Sequence, residues 1–358
     1  MRVLVTGGAG FIGSHLAARL LDRGDEVAVI DNISTGRIEN VAPLVERERF
    51  KLVIDTVCNP TIMEELIRNA DHVYHLAAPV GVKYIMSNPV RTILENTRAA
   101  DVVFEFCNKY RKKVLLASSS EVYGKNLDYL GHEHARLGED DLHLKGSTKN
   151  HRWAYATTKS LDEFLGFAYF KQYGMPVVVV RFFNTVGPRQ VSTYGMVIPT
   201  FVRQALESRP ITVYGTGEQQ RSFLYIEDAL DAITALMDEP RAVGDVFNVG
   251  HEREITINAL AERVRQRVGA TVEIQHVEYR DAYGDGFEDM LRRVPDISKI
   301  RRLVGFEPKF ALDQIIDRVV AHARETLATT ASPGAATPPA AARPGARAAS
   351  GKPRVPRG

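Results

Sequence analysis

Thr6-Gly7-Gly8-Ala9-Gly10-Phe11-Ile12-Gly13 decides the reading of this chain. It follows the β-branched run Val3–Thr6 directly and opens a helical pattern over Phe11–Asp22. Glycines between a strand and a helix permit a tight turn, close approach of backbone to a pyrophosphate, and close helix–strand packing. The helix end then offers free N–H groups and partial positive charge to phosphates. A second strand ends at Asp31, where an acid accepts from a ribose 2′-hydroxyl and repels a 2′-phosphate. The turn therefore predicts NAD rather than NADP. The expected contacts are Gly7, Gly10, Phe11, Ile12, Gly13, Asp31 and Asn32.

Working outward, β-branched runs at Val27–Ile30, Lys51–Ile54, His72–Leu76, Val114–Ala117 and Val177–Phe182 alternate with helical patterns. The helical segments are Thr61–Asn69, Pro89–Tyr110 and Trp153–Tyr173. Runs this apolar suit a parallel sheet covered on both faces. After Asn184 the chain loosens into loops, with helices expected at Ile198–Glu207, Ile226–Met237 and Ile257–Val268. The expected fold class is α/β: a Rossmann-like doubly wound parallel sheet over residues 1–180 and a smaller C-terminal α/β substrate-binding lobe over 181–327, partly interleaved with it. Residues 328–358 are Ala- and Pro-rich, with five positive charges, no acid and no aromatic residue, and are expected to be a disordered tail.

Of 358 residues, 44% are hydrophobic and 25% charged, as a globular chain requires. A net charge of +2 argues against a dedicated nucleic-acid binder. No apolar run approaches the roughly 18 residues of a membrane span. Two cysteines make no disulfide framework, and the opening residues carry no secretory signal, so a cytoplasmic protein is expected. The polar stretch around His132, Glu133, His134 and His143 matches no zinc spacing, and no metal is expected.

Tyr155 and Lys159 stand at i and i+4 on one helix face, where a cation lowers a phenol from its usual pKa of about 10 towards that of a general base. Ser118-Ser119-Ser120 follows the fifth strand, at the edge where open α/β sheets bind ligands. Glycine fingerprint, strand-end serines and Tyr-x-x-x-Lys, in this order, resemble the short-chain dehydrogenase/reductase family. Tyr74-His75-Leu76-Ala77-Ala78, Arg181-Phe182-Phe183-Asn184 and Gly187-Pro188-Arg189 are similar to its extended, nucleotide-sugar-modifying branch, known as the NAD-dependent epimerase/dehydratases.

The resemblance is nearest to UDP-glucuronate decarboxylases and UDP-apiose/xylose synthases, through Glu121, Arg152-Trp153-Ala154-Tyr155 and Arg293-Val294-Pro295. It implies Tyr155, Lys159, Ser119, Ser120, Glu121 and Arg293 as catalytic residues. It adds Asp55, Leu76, Ala77, Tyr155 and Lys159 to the NAD contacts, and Lys83, Asn184, Arg221 and Arg293 to those of a UDP-linked sugar. Glu121 is left with two roles, relaying a proton or orienting Arg293. The implied activity is decarboxylation of UDP-glucuronate to a UDP-pentose through a transient 4-ketone. The alternatives are an NDP-sugar 4-epimerase and, outside enzymes, an NAD-binding redox-sensing scaffold. A homodimer joined through a four-helix bundle is also implied.

Overall fold

A computed structural model of the chain describes residues 1–131, 135–192, 196–283 and 288–331. The first half folds as β1 (Arg2–Thr6), α1 (Phe11–Asp22), β2 (Glu26–Asp31), β3 (Phe50–Ile54), α2 (Pro60–Asn69), β4 (His72–His75), α3 (Val82–Ser87), α4 (Pro89–Lys109), β5 (Lys113–Ser119), α5 (Asn126–Leu130), α6 (Ala154–Tyr173) and β6 (Val177–Phe182). Six of the seven strands in the main sheet come from these residues. The seventh, Asp245–Val249, comes from the second half and pairs with β6. Every pairing in the sheet is parallel, in the order 245–249, β6, β5, β4, β1, β2, β3. The order reverses between β1 and β4, and open α/β sheets bind ligands beyond the strand ends at such a point.

Alternation of side chains along a strand places neighbours on opposite faces. Val3 and Val5 pack with α1 on one face, while Leu4 packs with α2 and α4 on the other. Val178 and Val180 divide from Val177 and Val179 in the same way, and all four are fully buried. Both faces of the sheet are therefore apolar, which is why its strands read as unbroken hydrophobic runs.

The second half builds a three-stranded sheet from Glu254–Thr256, Gln220–Ser222 and Arg292–Arg293, and a parallel pair from Ile211–Tyr214 and Ile274–Val277. Helices Val197–Leu206, Ile257–Val268 and Leu312–Ala331 pack beside them. The last helix passes the expected start of the tail at Ala328 and runs to Ala331. Residues 332–358 lie outside the described residues, as do His132–His134 and Gly284–Phe287.

Candidate active site

The turn after β1 needs its glycines for space. Gly7 has φ +69°, and a Cβ there would stand 2.8 Å from the Ala77 Cα. A Cβ on Gly13 would run into the Gly7 carbonyl oxygen. β1, α1 and the segment after β4 therefore meet closely enough to form one wall of a cavity of about 330 Å³. Thr6 fastens that wall: its hydroxyl accepts from the Ala77 N–H at 3.1 Å and pairs with His75 Nδ1 at 2.9 Å. Burial pushes the His75 imidazole down to about 3, so it stays neutral.

Gly7, Gly10, Phe11, Ile12, Gly13, Asp31, Asn32, Leu76 and Ala77 all line this cavity, as the sequence predicts. Asp31 is 7% exposed and accepts from the Ala9 and Ile33 N–H groups at 3.0 and 2.8 Å. Burial raises its pKa, and those amides oppose the rise. Asp55 does not line the cavity. It accepts from the Thr56 N–H and the Asn59 amide instead, and Thr56, Val57 and Cys58 form the wall there. Arg189, beyond the expected set, also lines it. His15 holds the Pro188 carbonyl at 3.0 Å, and Arg189 donates to the Ser14 hydroxyl on α1 at 3.3 Å. The Gly187-Pro188-Arg189 turn was the available signal for this cation beside the helix N-terminus. A cradle closed to any Cβ, a buried acid at the end of β2 and a cation at the helix start together fit a dinucleotide.

The far end of the cavity is lined by Ser118, Ser119, Tyr155, Lys159 and Asn184. Ser119 accepts from the Glu121 N–H at 3.2 Å and caps the short turn Ser120–Tyr123. Ser120 is buried and is not among the lining residues. Ser118 donates to Glu163, which also takes both forks of Arg181, so that serine is structural. Tyr155 departs from the expected picture. Burial pushes its phenol above the ordinary value, Glu121 adds to the rise, and a hydrogen bond with Ser119 opposes it. Lys159 turns its ammonium to Asp162 at 3.4 Å.

Beside this end lies a buried ionic cluster. Glu121 is clamped between Arg152 and Arg293. Arg293 donates to Asn184 Oδ1 at 2.8 Å, and Asn184 donates onward to the Ser222 carbonyl. Arg221 is the register partner of Arg293 across two parallel strands and donates to Asp289 at 3.0 Å. Asp289 also faces Arg152 at 3.7 Å. Three guanidiniums thus surround two carboxylates, an excess of one positive charge. Burial alone would raise the Glu121 pKa, but Arg152 and Arg293 outweigh it and hold the group well below the usual carboxylate range. A carboxylate held ionised between two guanidiniums is placed to orient them. Arg152 and Asp289 were missed as site members, although Arg152 stands one helical turn before Tyr155. The Lys83 side chain lies outside the described residues.

Known proteins agree with this geometry. Residues 3–250 match the NAD dependent epimerase/dehydratase family. A UDP-N-acetyl-alpha-D-glucosaminuronate decarboxylase of Bacillus cytotoxicus is 38% identical over 325 residues, covering 90% of this chain and 98% of that protein. UDP-glucuronic acid decarboxylase 1 of Xenopus tropicalis is 36% identical over 332 residues, covering 91% of this chain and 73% of its own. Among solved structures, a UDP-glucuronic acid 4-epimerase from Bacillus cereus in complex with UDP-glucuronic acid and NAD superposes with a TM-score of 0.80. It is 28% identical and covers 91% of this chain and 100% of its own. Fold, cavity and relatives converge: this chain belongs to the NAD dependent epimerase/dehydratase family.

Proposed function

We propose that the protein decarboxylates UDP-glucuronate to a UDP-pentose of the UDP-xylose type. The observation that carries this reading is the Glu121–Arg152–Arg293 clamp beside Tyr155 and Asn184. Gly7, Gly10, Gly13 and Asp31 would hold NAD, which when bound would supply a reversible hydride acceptor for the sugar C4, so that C4 could be a ketone while the carboxylate leaves. Tyr155 takes the proton of the 4-hydroxyl oxygen, and Ser119 holds that oxygen by hydrogen bonding. The carboxylate is β to the ketone, so the electrons of its C–C bond pass into the carbonyl as CO2 departs. The enolate left behind would then take a proton at C5, and C4 would recover the hydride while its oxygen recovers the proton from Tyr155. Arg293, its two terminal nitrogens held by Glu121 and Asn184, sets a fixed positive charge beside the end of the cavity where the carboxylate would lie. Arg152 completes the positive wall and keeps Glu121 ionised.

The same reading takes a homodimer as its assembly. Val90, Ile93 and Leu94 on α4 and Leu161 and Phe164 on α6 are exposed, and these helices pack against each other. Two copies facing each other would cover that apolar surface as a four-helix bundle. Cytoplasmic residence is part of the reading too: Cys58 and Cys107 are both free thiols. Among the described residues no helix is long and apolar enough to cross a membrane.

Incubation with UDP-glucuronate, followed by mass spectrometry and NMR, tests the proposal. Release of CO2 and appearance of a UDP-pentose are expected. An unchanged mass with an inverted 4-hydroxyl would make the protein a 4-epimerase. Turnover of the 2-acetamido analogue alone would move the substrate towards that of the Bacillus cytotoxicus relative.

A further inference from the structure

Asp162 lies three residues beyond Lys159 on α6 and is 1% exposed. Its Oδ2 accepts from the Lys159 ammonium at 3.4 Å, while Oδ1 has no hydrogen-bond partner among the described residues. A half-satisfied carboxylate in a dry interior opposes folding, so stability gives no reason for an acid at this position. Asp162 does not line the cavity, whereas Lys159 and Tyr155 both do. Anything it does to the chemistry passes through those two.

The charged groups around it are few. From α6 itself, Lys159 and Glu163 act on Asp162, and Asp162 in turn acts on Tyr155. Glu163 is held by Arg181 of β6 and Ser118 of β5, so its charge is fixed in place. β4 contributes His75, which feels the Lys159 charge and is kept neutral by burial. α4 contributes Asn96, an uncharged group that donates to Thr158 at 3.3 Å. Lys159 is therefore the direct ion-pair partner of Asp162.

We propose that Asp162 is a positioning residue that pins the Lys159 ammonium beneath the cofactor cavity and thereby sets how readily Tyr155 gives up its proton. The inference rests on Tyr155 acting as the base. An ionised Asp162 offsets the Lys159 charge and disfavours the phenolate; a protonated one leaves the whole ammonium charge to stabilise it. Burial pushes Asp162 up to about 6, against the pull of Lys159, so this exchange falls close to neutral pH.

Asp162→Asn keeps the shape and removes the charge. The acid limb of the kcat/KM profile with UDP-glucuronate should move to lower pH by about one unit, a roughly tenfold gain in rate on that side. NAD content should not change. The Tyr155 titration itself, followed by 13C NMR of ζ-labelled tyrosine in the holoprotein, should shift the same way and needs no turnover. A wild-type protein inert towards nucleotide sugars, with the NMR shift intact, would sink the functional reading and leave this one standing. An unmoved limb and titration would overturn the inference. So would an equal loss of activity at every pH, the mark of a purely structural acid. Failure of both Asp162→Asn and Asp162→Ala to fold would also overturn it.

Discussion

At the scale of single residues, the proposed decarboxylation turns on Arg293. Arg293 is buried, its fork divided between Glu121 and Asn184. Arg293→Ala should lower decarboxylation by about 10²–10³-fold, the range seen when one preorganised charge is removed from a reacting centre. NAD should stay bound, because the residue stands outside the dinucleotide wall; loss of NAD on purification would contradict this. Glu121→Gln should also cost activity, since an amide cannot hold two guanidiniums together. Arg189→Ala acts at the other end. Equilibrium dialysis should show NAD affinity falling about tenfold, the worth of one charge-assisted bond. The sequence made Tyr155, Ser119, Glu121 and Arg293 legible because they sit in short local patterns. Asp162 and Asp289 were not, because their roles come from partners that the sequence does not place beside them; Arg152 carried part of the resemblance but was assigned no role. Lys159 was expected beside Tyr155 and the NAD; the structure adds Asp162, one turn on, as its ion-pair partner.

At the scale of elements, α1 coincides with its expected bounds, and β2 through β6 and α4 fall within a residue or two of theirs. Apolar runs this regular leave few alternatives. The strand Asp245–Val249 was not singled out, because five residues carrying Asp and Asn between Gly244 and Gly250 look like loop. Only the exposed edge of β6 makes it a strand. The close fit of β1 to α1 gives a direct test. Gly13→Ala should destabilise the protein by about 1–3 kcal/mol and lower its NAD content, because the methyl group meets the Gly7 carbonyl. A melting curve and cofactor content equal to wild type would refute that packing. On α6, Phe164 is 73% exposed, too large an apolar ring to leave in water by design. Phe164→Glu should prevent the proposed homodimer from forming, leaving a monomer in light-scattering chromatography.

Taken whole, the molecule depends on pH through its buried imidazoles. Burial lowers His75 to about 3, and His15 and His143 each to about 4. The unfolded chain therefore binds more protons than the native one below about pH 6.5. The stability these groups contribute is complete above that pH and is lost as pH falls towards their folded values. Thermal melts should decline between pH 6.5 and 5, partly offset by Asp162, whose raised pKa makes it take up a proton in the native state over the same interval, and His75→Gln should flatten the decline. A melting temperature constant over that interval would refute the reading. Charge at this scale was partly legible: without the tail's five cations the body holds 41 positive against 44 negative residues. Positive charge is instead gathered locally, and Arg152, Arg221 and Arg293 concentrate it where the proposed anionic substrate would lie.

The late strand has a consequence for the order in which the protein is made. Synthesis delivers β6 well before Asp245–Val249, so the growing chain carries an apolar edge with nothing beside it. The glycine turn, Tyr155 and Lys159 have by then already emerged. Arg293 comes later still, after the strand that closes the sheet. A nascent chain can thus make its glycine turn early, yet it gains Arg293, on which the proposed decarboxylation depends, only once that edge is sealed.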